Sequence, residues 1–111
     1  MKLYFEDINS YIGKTTKYLI KEISRPEPET ISRYGLSSDT ESFRYHGIDR
    51  GWGILITNWN EEPSKENILK YGFDSEADAR RGGRMDSSPY VNSERHSAGY
   101  YYTYKIVPFE V

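Results

Sequence analysis

Cysteine is absent from this sequence of 111 residues. The chain therefore has no disulfide, no thiolate metal ligand and no thiol nucleophile. A secreted domain of this size often depends on disulfides, so we expect a reducing compartment, the cytoplasm. No apolar run approaches the roughly 20 residues of a membrane-spanning helix, and the amino-terminal residues lack the apolar stretch of a signal peptide. We expect a soluble protein without a membrane partner.

Positive charge is also in short supply, since the formal net charge is −2 and the pI is about 5.7. Domains that bind nucleic acid are usually clearly basic, so the overall charge does not favour that function. The hydrophobic fraction is only 36%, which on its own would suit a disordered chain. However, aromatic residues make up 15% and include 11 tyrosines, whereas disordered chains have few aromatics. The length indicates one folded domain, residues 1–111.

The most apolar run, Trp52–Trp59, predicts a strand. Apolar side chains occur on both of its faces, which is typical of a central strand covered on both sides. We therefore expect Ile54, Leu55 and Ile56 in the core. The alternation of apolar and polar residues predicts strands at 42–46 and 100–107. A helical stripe also fits the segment around 15–23, but Gly13, Thr15 and Thr16 would each cost helicity, so a strand is favoured there. The full set of predicted strands is 15–23, 42–46, 52–59 and 100–107.

Short helices are predicted between the third and the last strand. Ser64 is a good N-cap for a helix that ends near Tyr71, and Ser75 with Asp78 has the form of a capping box for a second helix that ends near Gly82. One or two helical turns are also predicted at 6–12. The expected fold is α+β, with a small, mostly antiparallel sheet of about four strands and two short helices packed on it.

A polar stretch at 82–99 predicts a long loop, and loops of this length are often functional. Arginines cluster around it, and arginine offers forked donors to phosphate or carboxylate groups. The alternative is that Arg80 and Arg81 simply lie in a last helical turn, where cations are favoured. The candidate binding residues here are Arg80, Arg81, Arg84, Tyr90, Arg95 and His96.

The last predicted strand carries four tyrosines in five residues, 100–104. Aromatic rings on a sheet face stack on single-stranded bases in several folds, and they also anchor protein interfaces. The alternative is that one face is core and the other pairs across the sheet. Tyr100 and Tyr102 are candidate binding residues, together with Trp59 at the exit of the third strand.

Histidine is scarce, and His46 and His96 occur in none of the spacings of a metal site such as H-E-x-x-H. We predict no metal, no cofactor and no catalytic residue. An acid–base role for either histidine, as in a metal-independent RNase, is an alternative.

Three functional hypotheses follow. The first is a non-enzymatic binding protein, a small inhibitor or adaptor that docks on a larger cytosolic macromolecule, of the compact kind that phages and mobile elements often encode. A protein partner is thus the first expectation. The second hypothesis is a nucleotide- or single-stranded nucleic-acid-binding module with an arginine and tyrosine surface. The third is a small RNase. The sequence ranks them in this order, because it shows no catalytic constellation and no overall positive charge.

Overall fold

The computed structural model describes residues 15–82, 95–97 and 99–111. They form an α+β fold with an antiparallel sheet, as predicted. The helical turns predicted at 6–12 lie outside the described residues. The described strands and helices are, in chain order, β1 (Thr16–Pro26), α1 (Pro28–Tyr34), β2 (Ser42–Asp49), β3 (Trp52–Leu55), α2 (Lys65–Tyr71), α3 (Glu76–Gly82), β4 (Arg95–Ser97) and β5 (Tyr100–Glu110).

The central strand of the sheet is β1. The strand order is β3-β2-β1-β5-β4 and every neighbouring pair is antiparallel. β1 pairs with β5 along its whole length, from Thr16 opposite Glu110 to Pro26 opposite Tyr100. The prediction that 52–59 forms the central strand is therefore wrong, because β3 lies at an edge of the sheet.

Regular strand pairing of β3 ends at Leu55. The Ile56 backbone N–H still donates to the Tyr45 carbonyl oxygen at 3.0 Å, and the next residue bonds to β2 through its side chain. The backbone N–H of Tyr45 donates to Thr57 Oγ1 over 2.9 Å, and Thr57 is buried. The side chains of Trp52 and Leu55 are 70% and 47% exposed, so the expected burial of Leu55 is also wrong. Ile56 does pack against the core.

Both predicted helices are present with the predicted caps. Ser64 Oγ accepts a hydrogen bond from the Asn67 backbone N–H at 3.1 Å, and Ser75 Oγ accepts one from the Asp78 N–H at 3.0 Å. The helix α1 was not predicted, since prolines at 26 and 28 indicated a break. Proline is tolerated in the first turn of a helix, where its missing N–H would have no partner anyway.

The core has two layers, one on each side of β1. Successive strand side chains point to opposite sides. We call the side with Ile20 and Glu22 the first face and the side with Leu19 and Lys21 the second face. On the first face Ile20 packs with Phe73 and with Ala79 of α3. On the second face the buried cluster consists of Leu19, Tyr45 and Ile68 of α2.

The last strand extends through Pro108 to Glu110, three residues beyond the predicted end at 107. Pro108 lies opposite Tyr18, and proline cannot donate a backbone hydrogen bond. Tyr18 does not need that donor, because its N–H and C=O exchange hydrogen bonds with Phe73 at 2.9 and 2.8 Å. The strand therefore passes the proline without losing a bond to β1.

Candidate functional site

A buried carboxylate lies at the centre of the first face. Glu22 is 3% exposed and lies directly opposite Arg44 of β2. Its Oε2 accepts a hydrogen bond from Arg44 Nε at 2.7 Å, and its Oε1 lies 3.1 Å from His46 Nε2. The side chains of Arg44 and His46 remain 28% and 27% exposed. Because charges are almost never fully buried unless paired, this cluster marks a candidate site.

The neighbours of Glu22 keep it ionised. Burial alone raises the pKa of Glu22, but the hydrogen bonds from His46 and Arg44, with the charges of both groups, outweigh burial and lower the pKa below its ordinary value. Facing an ionised carboxylate, His46 Nε2 is the nitrogen that donates, which leaves Nδ1 as the acceptor in the neutral ring. A carboxylate and imidazole so arranged can accept a proton from a hydroxyl group.

A cleft of about 580 Å³ opens beside this cluster. Tyr104 lies on one wall, with its ring centroid 6.5 Å from that of His46. Arg81 lies on another wall and forms an ion pair with Asp78. At Gly82 a Cβ would collide with the ring of Phe73. The end of α3 can therefore approach the sheet closely enough to bring Arg81 to the cleft.

Three tyrosines of β5 form a row along the first face that starts at the wall of this cleft. Tyr100, Tyr102 and Tyr104 lie opposite Pro26, Ser24 and Glu22, respectively, and all three tyrosines are half-buried. We call them the tyrosine row.

A second cleft, of about 360 Å³, adjoins the tyrosine row. Tyr100, Tyr102 and Trp59 all line it. The guanidinium carbon of Arg44 lies 4.2 Å from the centroid of the Trp59 ring, which is a cation–π contact. Arg44 contacts both Trp59 in this cleft and Glu22 in the charged cluster. Aromatic and cationic groups therefore lie next to each other along the first face.

The predicted binding residues are only partly brought together. Arg80 pairs with Glu76 at 3.6 Å and does not line the 580 Å³ cleft, whereas Arg81 does. Tyr100, Tyr102 and Trp59 meet at the second cleft. The backbones of Arg95 and His96 lie opposite Tyr102 and Tyr101. Arg84 and Tyr90 lie outside the described residues, as do the side chains of Arg95 and His96.

Sequence reasoning missed Glu22, Arg44 and Tyr104, and it considered His46 only for a metal site or an acid–base role. The structure pairs His46 with Glu22 instead. A signal was present, because Glu22 interrupts an apolar strand between Ile20 and Ile23. Assigning its partners requires the register between β1 and β2, which the sequence does not specify.

The ranges 15–82, 95–97 and 99–111 contain no cluster of three or more histidine, aspartate or glutamate side chains that could hold a metal ion. No helix in the described part of the chain is long and apolar enough to cross a membrane. Comparison of the chain with family models, curated proteins and solved structures found no match. The site is therefore interpreted from its own residues.

Proposed function

We propose that the protein binds a nucleotide or a single-stranded nucleic acid on the first face of its sheet. The observation that carries this proposal is the tyrosine row beside Arg44 and Trp59, on one face and next to two clefts. Aromatic rings on a sheet face stack on bases, and such stacking is worth about 1–3 kcal/mol per base. Arginine donors suit the phosphate group.

The charge distribution supports the proposal at the level of the site. The net charge of −2 describes the whole chain, whereas the first face carries two guanidinium groups beside its clefts, Arg44 paired with Glu22 and Arg81 paired with Asp78. Arg44 contacts the Trp59 ring, with its guanidinium carbon 4.2 Å from the ring centroid, and remains partly exposed. A guanidinium held in this way is preorganised for an anion, because little side-chain freedom is lost when the anion binds.

A binding experiment tests the proposal, with Trp59 as a fluorescent reporter inside the second cleft. We expect thymidine trinucleotide to quench the fluorescence in a saturable manner. Replacing Tyr102 by leucine should weaken binding by about tenfold, within the range known for loss of one stacked base. Tyr101→Leu is the matched control, because Tyr101 is the next residue of β5 and faces the other side of the sheet. No binding of the trinucleotide or of thymidine monophosphate, or equal affinity in both variants, would contradict the proposal.

A second candidate function, docking on a larger protein as an inhibitor or adaptor, is favoured by the edge strand β3. An edge strand can pair through its backbone with a strand added from a partner. On β3, Trp52 is 70% exposed and Leu55 is 47% exposed, so both side chains could contact that partner. The double variant Trp52→Ser/Leu55→Ser should no longer bind a partner that pairs with β3. The control variant Tyr34→Ser, changed on the exposed face of α1, should still bind it. For either function we propose a cytoplasmic location, on the basis of the cysteine-free sequence.

A further inference from the structure

The charged cluster of the first face lines a cleft instead of being sealed within the core. Glu22 and His46 both belong to the wall of the 580 Å³ cleft. The carboxylate is fixed there, since its two oxygens contact Arg44 Nε at 2.7 Å and His46 Nε2 at 3.1 Å. Apolar residues of similar volume in place of a buried ion pair are often as stabilising or more so. Stability alone therefore does not account for a carboxylate at this position.

His46 is held by Glu22 in the arrangement of a base. Because Nε2 donates to the ionised carboxylate, Nδ1 carries the lone pair of the neutral ring. The His46 side chain is 27% exposed, whereas that of Glu22 is only 4% exposed. A molecule in the cleft can thus contact the imidazole, while the carboxylate orients the ring from behind. The same division of roles operates where a carboxylate positions an imidazole that takes a proton from a hydroxyl group.

That hydroxyl group has to come from the substrate. The described residues that line this cleft include no serine, threonine or cysteine, the usual protein nucleophiles. The tyrosine row starts in the same cleft with Tyr104, whose ring centroid is 6.5 Å from that of His46. A base stacked on Tyr104 therefore has its sugar and phosphate beside the imidazole. Ribose, unlike deoxyribose, carries a 2′-hydroxyl there, so RNA brings its own nucleophile.

Arg81 supplies a cation to the same cleft. Its side chain is 74% exposed and pairs with Asp78. A guanidinium has five N–H donors, so Arg81 can bind a phosphate oxygen and keep this partner. Negative charge that develops on a phosphate during displacement is stabilised by such a donor. The base, the cation and the stacking ring thus belong to one face and one cleft.

We propose that this cleft cleaves single-stranded RNA by transesterification, with His46 as the general base and Glu22 as its positioning residue. His46 Nδ1 takes the proton of the 2′-hydroxyl while the 2′-oxygen attacks the adjacent phosphorus. A 2′-O–P bond forms and the P–O5′ bond breaks. The leaving 5′-oxygen takes a proton from water, and the hydroxide so formed is neutralised by the proton that His46 releases. The products are a 2′,3′-cyclic phosphate and a 5′-hydroxyl. This inference rests on the proposed function and names its substrate class.

The experiment uses DNA dodecamers that each carry one ribonucleotide, in four versions with different bases, beside an all-DNA dodecamer. Mass spectrometry should show cleavage directly 3′ of the ribonucleotide, with a 2′,3′-cyclic phosphate end and an intact all-DNA strand. His46→Gln should cleave at least about 100-fold more slowly and still bind thymidine trinucleotide. The glutamine amide can donate to Glu22 as the imidazole does, but it has no basic nitrogen.

Glu22→Gln tests the positioning role. Its kcat per binding site should fall at least about tenfold with KM unchanged, because the ring of His46 is no longer held in one tautomer. Titration with thymidine trinucleotide counts the folded sites, so loss of structure is measured separately from loss of rate. An unchanged rate per site would overturn the role of Glu22.

The matched pair Arg81→Gln and Arg33→Gln provides a test at exposed positions if His46→Gln does not fold. Arg33 lies in the last turn of α1 and does not line the cleft. Only Arg81→Gln should slow cleavage, by about 100-fold. Absence of cleavage of all four substrates, cleavage of the all-DNA strand, or equal rates in wild type and His46→Gln from the same purification would overturn the inference. Intact trinucleotide binding in any of these cases would leave the proposed function standing.

Discussion

The two faces of the sheet differ in how their charged side chains are paired. On the first face Glu22 is buried, but both carboxylate oxygens contact cationic or polar partners on β2. On the second face two lysines lie directly opposite each other on neighbouring strands. The central strand β1 contributes to both arrangements, with β2 on the first face and β5 on the second. The first face thus pairs its buried carboxylate with side chains of the same protein. On the second face, neither lysine has an ion-pair partner within the described part of the chain.

This difference indicates how the charged side chains of each face contribute to stability. A buried carboxylate can be retained only if its partners are present, because an unpaired buried charge is very costly. A half-buried lysine opposite an exposed one, as with Lys21 and Lys105, costs much less, since solvent weakens the repulsion between them. Substitutions at the charged positions of the two faces, Glu22 and Lys105, should therefore change stability in opposite directions, whereas a core position such as Leu19 should lose stability when it is truncated.

The largest expected effect is in the core of the second face, at its α2 end. Leu19 is fully buried, and Leu→Ala at such positions costs about 2–5 kcal/mol of unfolding free energy because a cavity remains. We expect Leu19→Ala to cost about 3 kcal/mol in urea unfolding. The same change at Leu55 on the edge strand, which is 47% exposed, should cost less than about 1 kcal/mol. Similar losses at both positions would contradict the assignment of β1 as centre and β3 as edge.

An intermediate effect is expected at Glu22, and it should depend on pH. Its pKa is lower in the folded state than its ordinary value, through the hydrogen bonds of His46 and Arg44 that outweigh burial. A lowered folded pKa means that the carboxylate stabilises the fold above its unfolded pKa and that this contribution is lost as pH falls through the folded pKa. Glu22→Gln should therefore lower the free energy of unfolding by about 2 kcal/mol at pH 7, because a buried charged partner is lost. The difference in unfolding free energy between the variant and wild type should shrink below about pH 5.

The control for this prediction is Glu41→Gln, an exposed glutamate just before β2. Surface substitutions of this kind usually change stability by less than about 0.5 kcal/mol. Urea unfolding from pH 7 down to pH 3 measures both variants beside the wild type. A gap between Glu22→Gln and wild type that stays constant with pH would show that the lowered pKa does not contribute to stability.

Much of the local structure could be predicted, because it depends on short-range chemistry. Ser64 and Ser75 have the residue types and spacing of helix caps, and both caps are present. The strand around 100–107 was predicted from its alternation, although it runs on to Glu110. The strand around 15–23 was predicted because Gly13, Thr15 and Thr16 disfavour a helix. The α+β class followed from these elements alone.

Strand order and the charged cluster could not be predicted, since both depend on pairing across the sheet. Trp52–Trp59 looked central because apolar residues occur on both of its faces, yet the sheet places it at an edge. The contact between Glu22 and His46 joins residues 24 positions apart, and a register shifted by one residue would have separated them. The facing lysines, 21 and 105, depend on the register of β1 and β5 in the same way.

The smallest expected effect is a gain rather than a loss of unfolding free energy, and it concerns Lys105, which lies opposite Lys21. Lys105→Glu would place a carboxylate directly opposite Lys21, and opposite charges in this position contribute about 0.2–1 kcal/mol. We expect the variant to be more stable than wild type by about 0.5 kcal/mol in urea unfolding at low salt, and the gain should decrease as salt screens the pair. The gain should also largely disappear in a Lys21→Gln background, because the facing charge is then missing. A stabilisation that persists without Lys21 would show that Lys21 and Lys105 do not repel each other in the wild-type protein.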